Sequence, residues 1–467
     1  MTELGDTTAT TAPEATDLAE LRRAVDGPVH GPGDVELVAE LAGYNLALEH
    51  APIAVVGATG AADVAAAVRW AAARGITVGV LATGHGDLEQ RGTLAITTRR
   101  MDRIDVDPVT RRAVVGAGVK WARLVEAAAP HGLAGLNGSS SDVGIVGYTT
   151  GGGVGPFIRK YGFASDRVRR LQVVTGDGEV RDVTAASDPE LFDVVLGSKD
   201  AVALVTELEF ELIEAPRIYG GSAFWPAEDI AAVLRAWRAW APTLPEEMTT
   251  SVAILRAPDI ESVPPPLRGR TVAHLRVAFL GSADEGRALL APMRAVAPPV
   301  IDMIDEMSYA AIDTVHLDPT DPMPFWADGC FLADVDDATV DTVLAAAGPE
   351  ADLPLFLVEL RHLAGAAERG TQGLAPRDAR FMIGVVGPLV PELRDVVPAV
   401  ARGTVDALAP WAASRTGLNW VNPYSVAARP ELAWGPREIE RIDAVRRRVD
   451  PGGVLGAARL GLGQASG

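Results

Sequence analysis

Two glycine-rich loops hold the residues of this sequence that are best suited to bind a charged ligand. The first contains Thr83, Gly84, His85 and Gly86 and follows a predicted buried strand. Backbone amides that are freed from hydrogen bonding can converge on an anion there, and glycine lets the backbone approach it closely. The second covers residues 138–155 and combines glycines with short hydroxyl side chains. Together the loops predict a dinucleotide site, with its pyrophosphate near the first loop.

The spacing of these glycines excludes the two commonest nucleotide-binding motifs. Neither loop is a G-x-G-x-x-G sequence that opens a helix directly after the first strand, which a Rossmann fold requires. No glycine run ends in Gly-Lys-Ser or Gly-Lys-Thr, so there is no P-loop. Each loop alone could equally be ordinary chain punctuation. The order of the two loops is therefore more informative than either loop.

The elements before the first loop form a predicted βαβ unit. Residues 52–57 and 76–81 are apolar runs typical of buried strands, and residues 61–74 have helical periodicity. Short strands and a helix over residues 121–129 lead to the second loop. Its glycines are too numerous for a helix or a regular strand, so we expect irregular structure there.

The remaining chain divides into further segments. A hairpin that turns at residues 176–178 and a strand over 204–212 complete the first lobe, and helices alternate with strands beyond it. A helix over residues 438–449 closes the chain. We predict four segments: a disordered tail over residues 1–20, a first lobe over 21–215, a second lobe over 216–415, and a C-terminal segment over 416–467 that returns to the first lobe.

Composition narrows the class of protein. The chain has 467 residues and a formal net charge of -20, which argues against nucleic-acid binding because phosphates require a basic surface. One cysteine, Cys330, and seven scattered histidines predict neither a disulfide framework nor a metal site. No apolar run is long enough for a membrane helix, and residues 1–16 do not resemble a secretion signal. We expect a cytoplasmic protein that is not associated with a membrane and binds no metal.

Several segments in order resemble the berberine bridge enzyme-like oxidases of the vanillyl-alcohol oxidase superfamily. They are residues 82–86, 97–102, 114–121 and 138–155, and the match is collinear over residues 50–213. It continues more weakly over residues 418–420 and 434–451. The resemblance implies an α+β fold. This would comprise a PCMH-type FAD-binding domain of two α/β subdomains, and a substrate domain whose antiparallel sheet is covered by helices.

The resemblance also implies FAD as the cofactor and a set of residues that contact it. In such oxidases the first-loop histidine is bonded to the 8α carbon of the isoalloxazine, and His85 occupies that position; a plain loop histidine is the alternative. A second bond would need a cysteine in residues 139–143, which have none. The implied contacts are Ala82, Thr83, Gly84, His85, Gly86, Asp87, Ser139, Ser140, Asp142, Val143, Gly144, Gly147, Tyr148, Gly151, Gly152, Gly153, Gly155, Val205 and Asn419. For Tyr148, a place in the core is an equal alternative.

One stretch departs from the family pattern. Residues 196–206 stand where relatives have a glycine-rich run followed by Asn-Phe-Gly. Lys199 and Asp200 bring charge and bulk to this turn. We expect this departure to alter the affinity or the attachment of FAD.

Candidates for catalysis lie in the second half of the chain. Strand alternation over residues 356–362 puts Glu359 and Arg361 on one face and His362 on the other. His362 is the leading base candidate, with a structural histidine as the alternative. Glu359 and Arg361 are predicted to form a structural ion pair. Tyr424 is the second base candidate.

The expected function is an FAD-dependent oxidase that acts on an alcohol, a sugar or a natural-product intermediate of secondary metabolism, with O2 as electron acceptor. A flavin dehydrogenase, a redox-neutral cyclase and a non-catalytic binding protein are the alternatives. Scattered aromatic residues, with Phe325 and Trp326 among them, could line a substrate pocket, although such residues are usually core. A homodimer is an expected assembly. The sequence carries no motif that names the substrate.

Overall fold

The computed structural model describes residues 15–86 and 88–462, and its first helix overlaps the predicted tail. Helix α1 (Ala15–Ala24) includes residues 15–20, which corrects the prediction of a disordered tail for them. Its Leu21 is completely buried in the core of the first lobe. Residues 1–14 lie outside the described residues. The βαβ unit follows as predicted, with β2 and β3 each pairing in parallel with β4. The elements are β1 (Val29–His30), α2 (Glu36–Leu41), β2 (Ala54–Gly57), α3 (Ala61–Ala72), β3 (Val78–Leu81) and β4 (Leu94–Thr97).

A second, antiparallel sheet completes the first lobe. Its strand order is β5-β6-β10-β8-β9, and β7 pairs with β11 beside it. The elements are β5 (Ile104–Asp107), β6 (Arg112–Gly116), α4 (Trp121–Ala128), β7 (Leu133–Ala134), α5 (Ile145–Thr150), α6 (Ile158–Tyr161), β8 (Val168–Val174), β9 (Val180–Val183), α7 (Pro189–Val195), β10 (Leu204–Glu211) and β11 (Ile213–Glu214).

The second glycine loop contains a short helix, contrary to the expectation of irregular structure. Helix α5 has a glycine on each side, Gly144 and Gly151, and a single glycine within it, Gly147. Its first residue, Ile145, is completely buried. One interior glycine costs a helix only about 1 kcal/mol, which the burial of apolar side chains offsets.

The second lobe is built on a large antiparallel sheet of order β15-β12-β14-β13-β18-β19-β17, with β16 pairing with β12. Its helices cover one face, as expected for the substrate domain. The elements are β12 (Arg217–Pro226), α8 (Ile230–Trp240), β13 (Met248–Arg256), β14 (Thr271–Phe279), α9 (Ala283–Arg294), β15 (Ile301–Asp302), β16 (Asp305–Ser308), β17 (Phe325–Leu332), α10 (Asp337–Ala347), β18 (Leu357–His362), β19 (Phe381–Pro388) and α11 (Val396–Asp406).

The two faces of this sheet differ in chemistry. Arg276 pairs in register with Ser251, which pairs with Arg361, so these polar side chains share one face. Their neighbours Leu275 and Leu360 alternate to the opposite face, where they pack in a core with the helices. The apolar face is thus covered by helices, and the polar face is turned toward the first lobe.

The C-terminal segment returns to the first lobe. It contains α12 (Pro423–Ala428) and α13 (Pro436–Val449). Trp434 is 1% exposed, and its Nε1 donates a hydrogen bond to the carbonyl of Gly197 at 2.9 Å. The amide of Val78 donates to the carbonyl of Val454 at 2.8 Å. Within residues 15–86 and 88–462, no helix combines the length and apolar character that a membrane span requires.

Candidate functional site

A cavity of about 510 Å³ lies where the first lobe, the large sheet and the C-terminal segment meet. Strands β17 and β19 of the large sheet form one wall, and residues 418–424 form another. Many of the predicted site residues line it: Ala82, Thr83, His85, Gly86, Ser139, Val143, Gly144, Gly147, Tyr148, Val205, Asn419 and Tyr424. The structure therefore brings together residues that are far apart in sequence. Asp87 lies outside the described residues.

His85 is held firmly on one side. Its ring stacks on Tyr44 with centroids 4.0 Å apart, and its Nδ1 lies 2.9 Å from Thr83 Oγ1. Its Nε2 is buried, makes no hydrogen bond within the described residues, and lies 3.9 Å from a carboxylate oxygen of Asp142. Burial lowers the pKa of His85 to about 4. The positive charge of Lys120 contributes to this lowering, and the negative charge of Asp142 opposes it. The imidazole is therefore neutral near pH 7.

Two residues predicted to contact FAD, Ser140 and Asp142, do not line the cavity, and their contact with FAD stays a prediction. Asp142 is engaged by Lys120 Nζ at 2.6 Å, and its amide donates to Ser140 Oγ at 3.2 Å. Ser141 next to them donates to Asp313 at 2.5 Å. These contacts fix the second loop, so the two residues position the wall behind His85.

Five glycines that were predicted to contact FAD also lie outside the cavity lining. They are Gly84, Gly151, Gly152, Gly153 and Gly155. Close packing around the loop explains why these positions are glycine. Gly152 and Gly153 have φ of +105° and +80°, which favour glycine. A Cβ on Gly151 would lie 2.1 Å from Asn419 Oδ1. A Cβ on Gly155 would lie 1.9 Å from the carbonyl oxygen of Asn137. These glycines shape the loop behind the wall.

Tyr148 is both a cavity residue and a core residue. Its ring lines the cavity, and its centroid lies 5.6 Å from that of Trp121 at an angle of 89°. A Cβ on Gly138 would lie 2.9 Å from the ring. The hydroxyl is buried without a hydrogen-bond partner in the described residues, and burial raises the pKa of the phenol. The packing agrees with the core interpretation of this tyrosine, and its contact with the flavin stays a prediction.

His362 does not reach the cavity, which corrects the leading choice of base. It is 1% exposed and stacks on Phe381 with centroids 4.8 Å apart. Burial, with Arg159 and Arg380, lowers its pKa to about 2, so it cannot exchange a proton near neutral pH. Strand alternation places it on the helix-covered side with Leu360. The alternative, a structural histidine, fits its surroundings.

Tyr424 does line the cavity. It is 39% exposed and stacks on Trp326, with ring centroids 5.9 Å apart and planes 13° apart. Burial and the charge of Glu89 raise the pKa of its phenol, so it carries its proton at neutral pH. Phe325 and Trp326 also line the cavity, as one of the sequence interpretations expected.

The departure from the family pattern lies in the wall of the cavity. Lys199, with φ of +51°, and Asp200 both line it. Arg459 lines the same cavity, and its Nη1 lies 3.9 Å from Asp200 Oδ2. Sequence reasoning missed Arg459 and also Tyr44, the stacking partner of His85. Neither belongs to a motif, so only the fold could reveal them.

The predicted ion pair between Glu359 and Arg361 is confirmed. Arg361 Nη2 lies 3.1 Å from Glu359 Oε1, and Arg276 Nη1 lies 3.2 Å from the same oxygen. All three residues are almost completely buried. Burial would raise the pKa of Glu359, but the two arginines together lower it below its usual value, so the carboxylate is ionised.

We expect Glu359→Gln to destabilise the protein by about 3–5 kcal/mol, because it removes the carboxylate that pairs with two buried guanidinium groups. The midpoint of urea unfolding of the purified protein measures this loss. Glu306 provides a matched control: its pair with Arg217 is on the surface, with both side chains at least 44% exposed. Glu306→Gln should cost about 0–1 kcal/mol. Equal losses in the two variants would contradict this account of the buried pair.

Sequence comparisons identify the first lobe. Residues 52–184 match the family model described as FAD binding domain. (R)-6-hydroxynicotine oxidase of Paenarthrobacter nicotinovorans is 32% identical over 268 residues, which cover 55% of this chain and 56% of that enzyme. The uncharacterized FAD-linked oxidoreductase YvdP of Bacillus subtilis is 27% identical, over 62% of this chain and 64% of YvdP. The matches thus span less than two thirds of these curated relatives.

Solved structures share the fold over nearly the whole chain. BBE-like 1 of Physcomitrella patens superposes with a TM-score of 0.80 at 18% identity, covering 94% of this chain and 97% of that one. The glucooligosaccharide oxidase of Acremonium strictum, for which a novel flavinylation is described, has a TM-score of 0.81 at 20% identity, covering 95% and 98%. These findings support the resemblance expected from the sequence: residues 52–184 match an FAD binding domain, and the chain shares the fold of BBE-like 1 and of the glucooligosaccharide oxidase.

Proposed function

We propose that this protein is an FAD-dependent oxidase that holds one FAD through a covalent bond to His85 and oxidises a small organic molecule. The observation that carries the proposal is the cavity between the lobes, which is lined by the neutral imidazole of His85, whose Nε2 makes no hydrogen bond within the described residues. The FAD-binding family match over residues 52–184 supports the cofactor. The oxidase names of the relatives support the class of reaction, and the substrate follows from none of them.

The residues of the cavity fit a flavin dinucleotide. A Cβ added to Gly86 or Gly147 would meet no atom within 4 Å, so both glycines leave room for a ligand against the backbone. Lys199 and Arg459 place cationic side chains in the lining, beside the carboxylate of Asp200. A volume of about 510 Å³ is within the range of cofactor sites.

The side chains around this site have distinct tasks in the proposal. FAD, when bound, accepts a hydride from the substrate and passes the electrons to O2. His85 holds the cofactor, while Tyr44 and Thr83 fix the imidazole in place. Trp326 supplies an apolar surface that excludes water from a small organic substrate. Tyr424 keeps its phenolic proton, so it is proposed to donate a hydrogen bond that orients the substrate, and His362 lies away from the cavity.

Turnover in air tests the reaction class. The purified protein is mixed with panels of secondary alcohols, oligosaccharides and cyclic amines, and peroxide is followed together with flavin absorbance. In an oxidase, the flavin absorbance should fall when substrate is added without oxygen, and peroxide should be released steadily in air. Bleaching with no peroxide would instead favour a dehydrogenase, and a protein that cannot take up FAD would favour a binding protein. A homodimer and a role in secondary metabolism stay predictions.

The pH dependence of flavin attachment should reveal the lowered pKa of His85. Only the neutral imidazole can form the bond, and its pKa of about 4 leaves it neutral down to about pH 5. The rate of covalent incorporation of FAD into apoprotein should thus change less than about two-fold between pH 8 and 5.5. A histidine with the ordinary pKa of about 6.5 would lose about ten-fold over that range. A ten-fold loss would contradict the buried, neutral state of His85.

A further inference from the structure

The polar face of the large sheet holds a buried group of charged side chains apart from the FAD cavity, which we call the Arg276–Glu359–Arg361 cluster. The exposed fractions of these residues are 3%, 4% and 2%. Glu359 Oε1 lies 3.2 Å from Arg276 Nη1 and 3.1 Å from Arg361 Nη2. One carboxylate therefore faces two guanidinium groups, and the cluster carries one net positive charge.

The surroundings of the cluster supply no second negative charge. Within the described ranges, no other ion-pair partner of Arg276 or Arg361 is found. His316 beside them is neutral, because burial and both arginines hold its pKa well below the ordinary value. An uncompensated charge in an interior of low dielectric is strongly unfavourable.

A separate small cavity lies against this cluster. Its volume is about 10 Å³, which is room for one atom the size of a water molecule or slightly larger. Arg276, Arg361, His316 and Ser251 line it, and residues 155–156 of the second glycine loop close it. The Nε of Arg276 and the Nη1 of Arg361 are buried and make no hydrogen bond within the described residues. Unsatisfied cationic donors thus border the empty space.

We propose that this cavity binds one monatomic anion of the size of chloride, held by Arg276 and Arg361. A water molecule would satisfy the free donors but would leave the net charge, whereas a halide satisfies the donors and balances the charge. The small volume favours a monatomic anion over a phosphate or a carboxylate. Because residues 155–156 belong to the FAD-binding lobe, the anion ties that lobe to the substrate sheet. The site does not depend on the proposed oxidase function.

Bromide diffraction tests the site directly. Crystals of the protein as purified are prepared with sodium bromide, and anomalous differences are measured at the bromine edge. The proposal expects a bromide peak in the small cavity, at hydrogen-bond distance from both guanidinium groups. Absence of bromide there, whether the cavity is empty or holds only water, would overturn it.

Chloride-dependent stability tests the site in solution. The melting temperature is compared in sodium chloride and sodium gluconate at equal ionic strength, because a ligand of the native state raises it. Chloride should raise the value for the native sequence by about 2 °C or more. Arg276→Gln, which removes the net charge, should abolish the rise, while Arg235→Gln on the surface, where Arg235 pairs with Asp341, should keep it. An equal rise in Arg276→Gln and the native sequence would refute the proposal; if Arg276→Gln does not fold, the bromide experiment decides.

Discussion

Gly147→Leu should yield a folded protein that contains almost no flavin. Gly147 lies within helix α5 and lines the large cavity, and a Cβ placed there would meet no atom within 4 Å. A leucine side chain would extend into the space that the cofactor needs. Overpacking of about 1–3 kcal/mol corresponds to about 5- to 150-fold weaker binding. The ratio of flavin absorbance to protein absorbance after purification measures the loss.

Unfolding of Gly147→Leu would not explain its loss of flavin, because leucine is a better helix former than glycine by about 1 kcal/mol. The melting temperature of the apoprotein should therefore be maintained or raised. Gly403 is a matched control: it is an interior glycine of α11 whose Cβ would also meet no atom within 4 Å, and it does not line the cavity. Gly403→Leu should keep a full complement of flavin. If Gly147→Leu retained as much flavin as Gly403→Leu, the cofactor could not lie against this helix.

His85→Ala should convert the flavin from a permanent group into a dissociable one. In the native sequence the proposed bond uses the free Nε2, while Thr83 and Tyr44 hold the rest of the ring. Alanine removes the only proposed covalent link, so flavin should be lost during gel filtration at low protein concentration. His131 is the control, since it lies on the surface away from the cavity. His131→Ala should retain its flavin through the same column, and retention by both variants would contradict the covalent link.

Much of the fold could be predicted because local patterns agree with tertiary packing. The residues of β2 are all buried between layers, which a continuous apolar run predicts. Helix α8 follows its sequence pattern, since Ile230 and Trp237 repeat at the helical period on its buried face. Strand alternation also placed Glu359 and Arg361 together on one face, where they form an ion pair. In these places the propensity, the period and the burial point to one structure.

The candidate site was predictable only where a motif marks it. His85 and Gly147 lie in loops with recognisable sequences, and both line the cavity. Tyr44 stacks on His85, and the two residues are 41 positions apart in the sequence. No local pattern reveals this contact. The prediction that His362 is the base was wrong because strand alternation separates the two faces of β18 but does not show which face lies toward the first lobe. The packing of the helices on one face decides that question.

The covalent link between FAD and His85 is the central claim, and acid precipitation of the purified native protein tests it most directly. The yellow colour should stay with the washed precipitate, and digestion should give one flavin-bearing peptide that contains His85. Flavin that passes entirely into the supernatant, or a flavin peptide without His85, would contradict the claim.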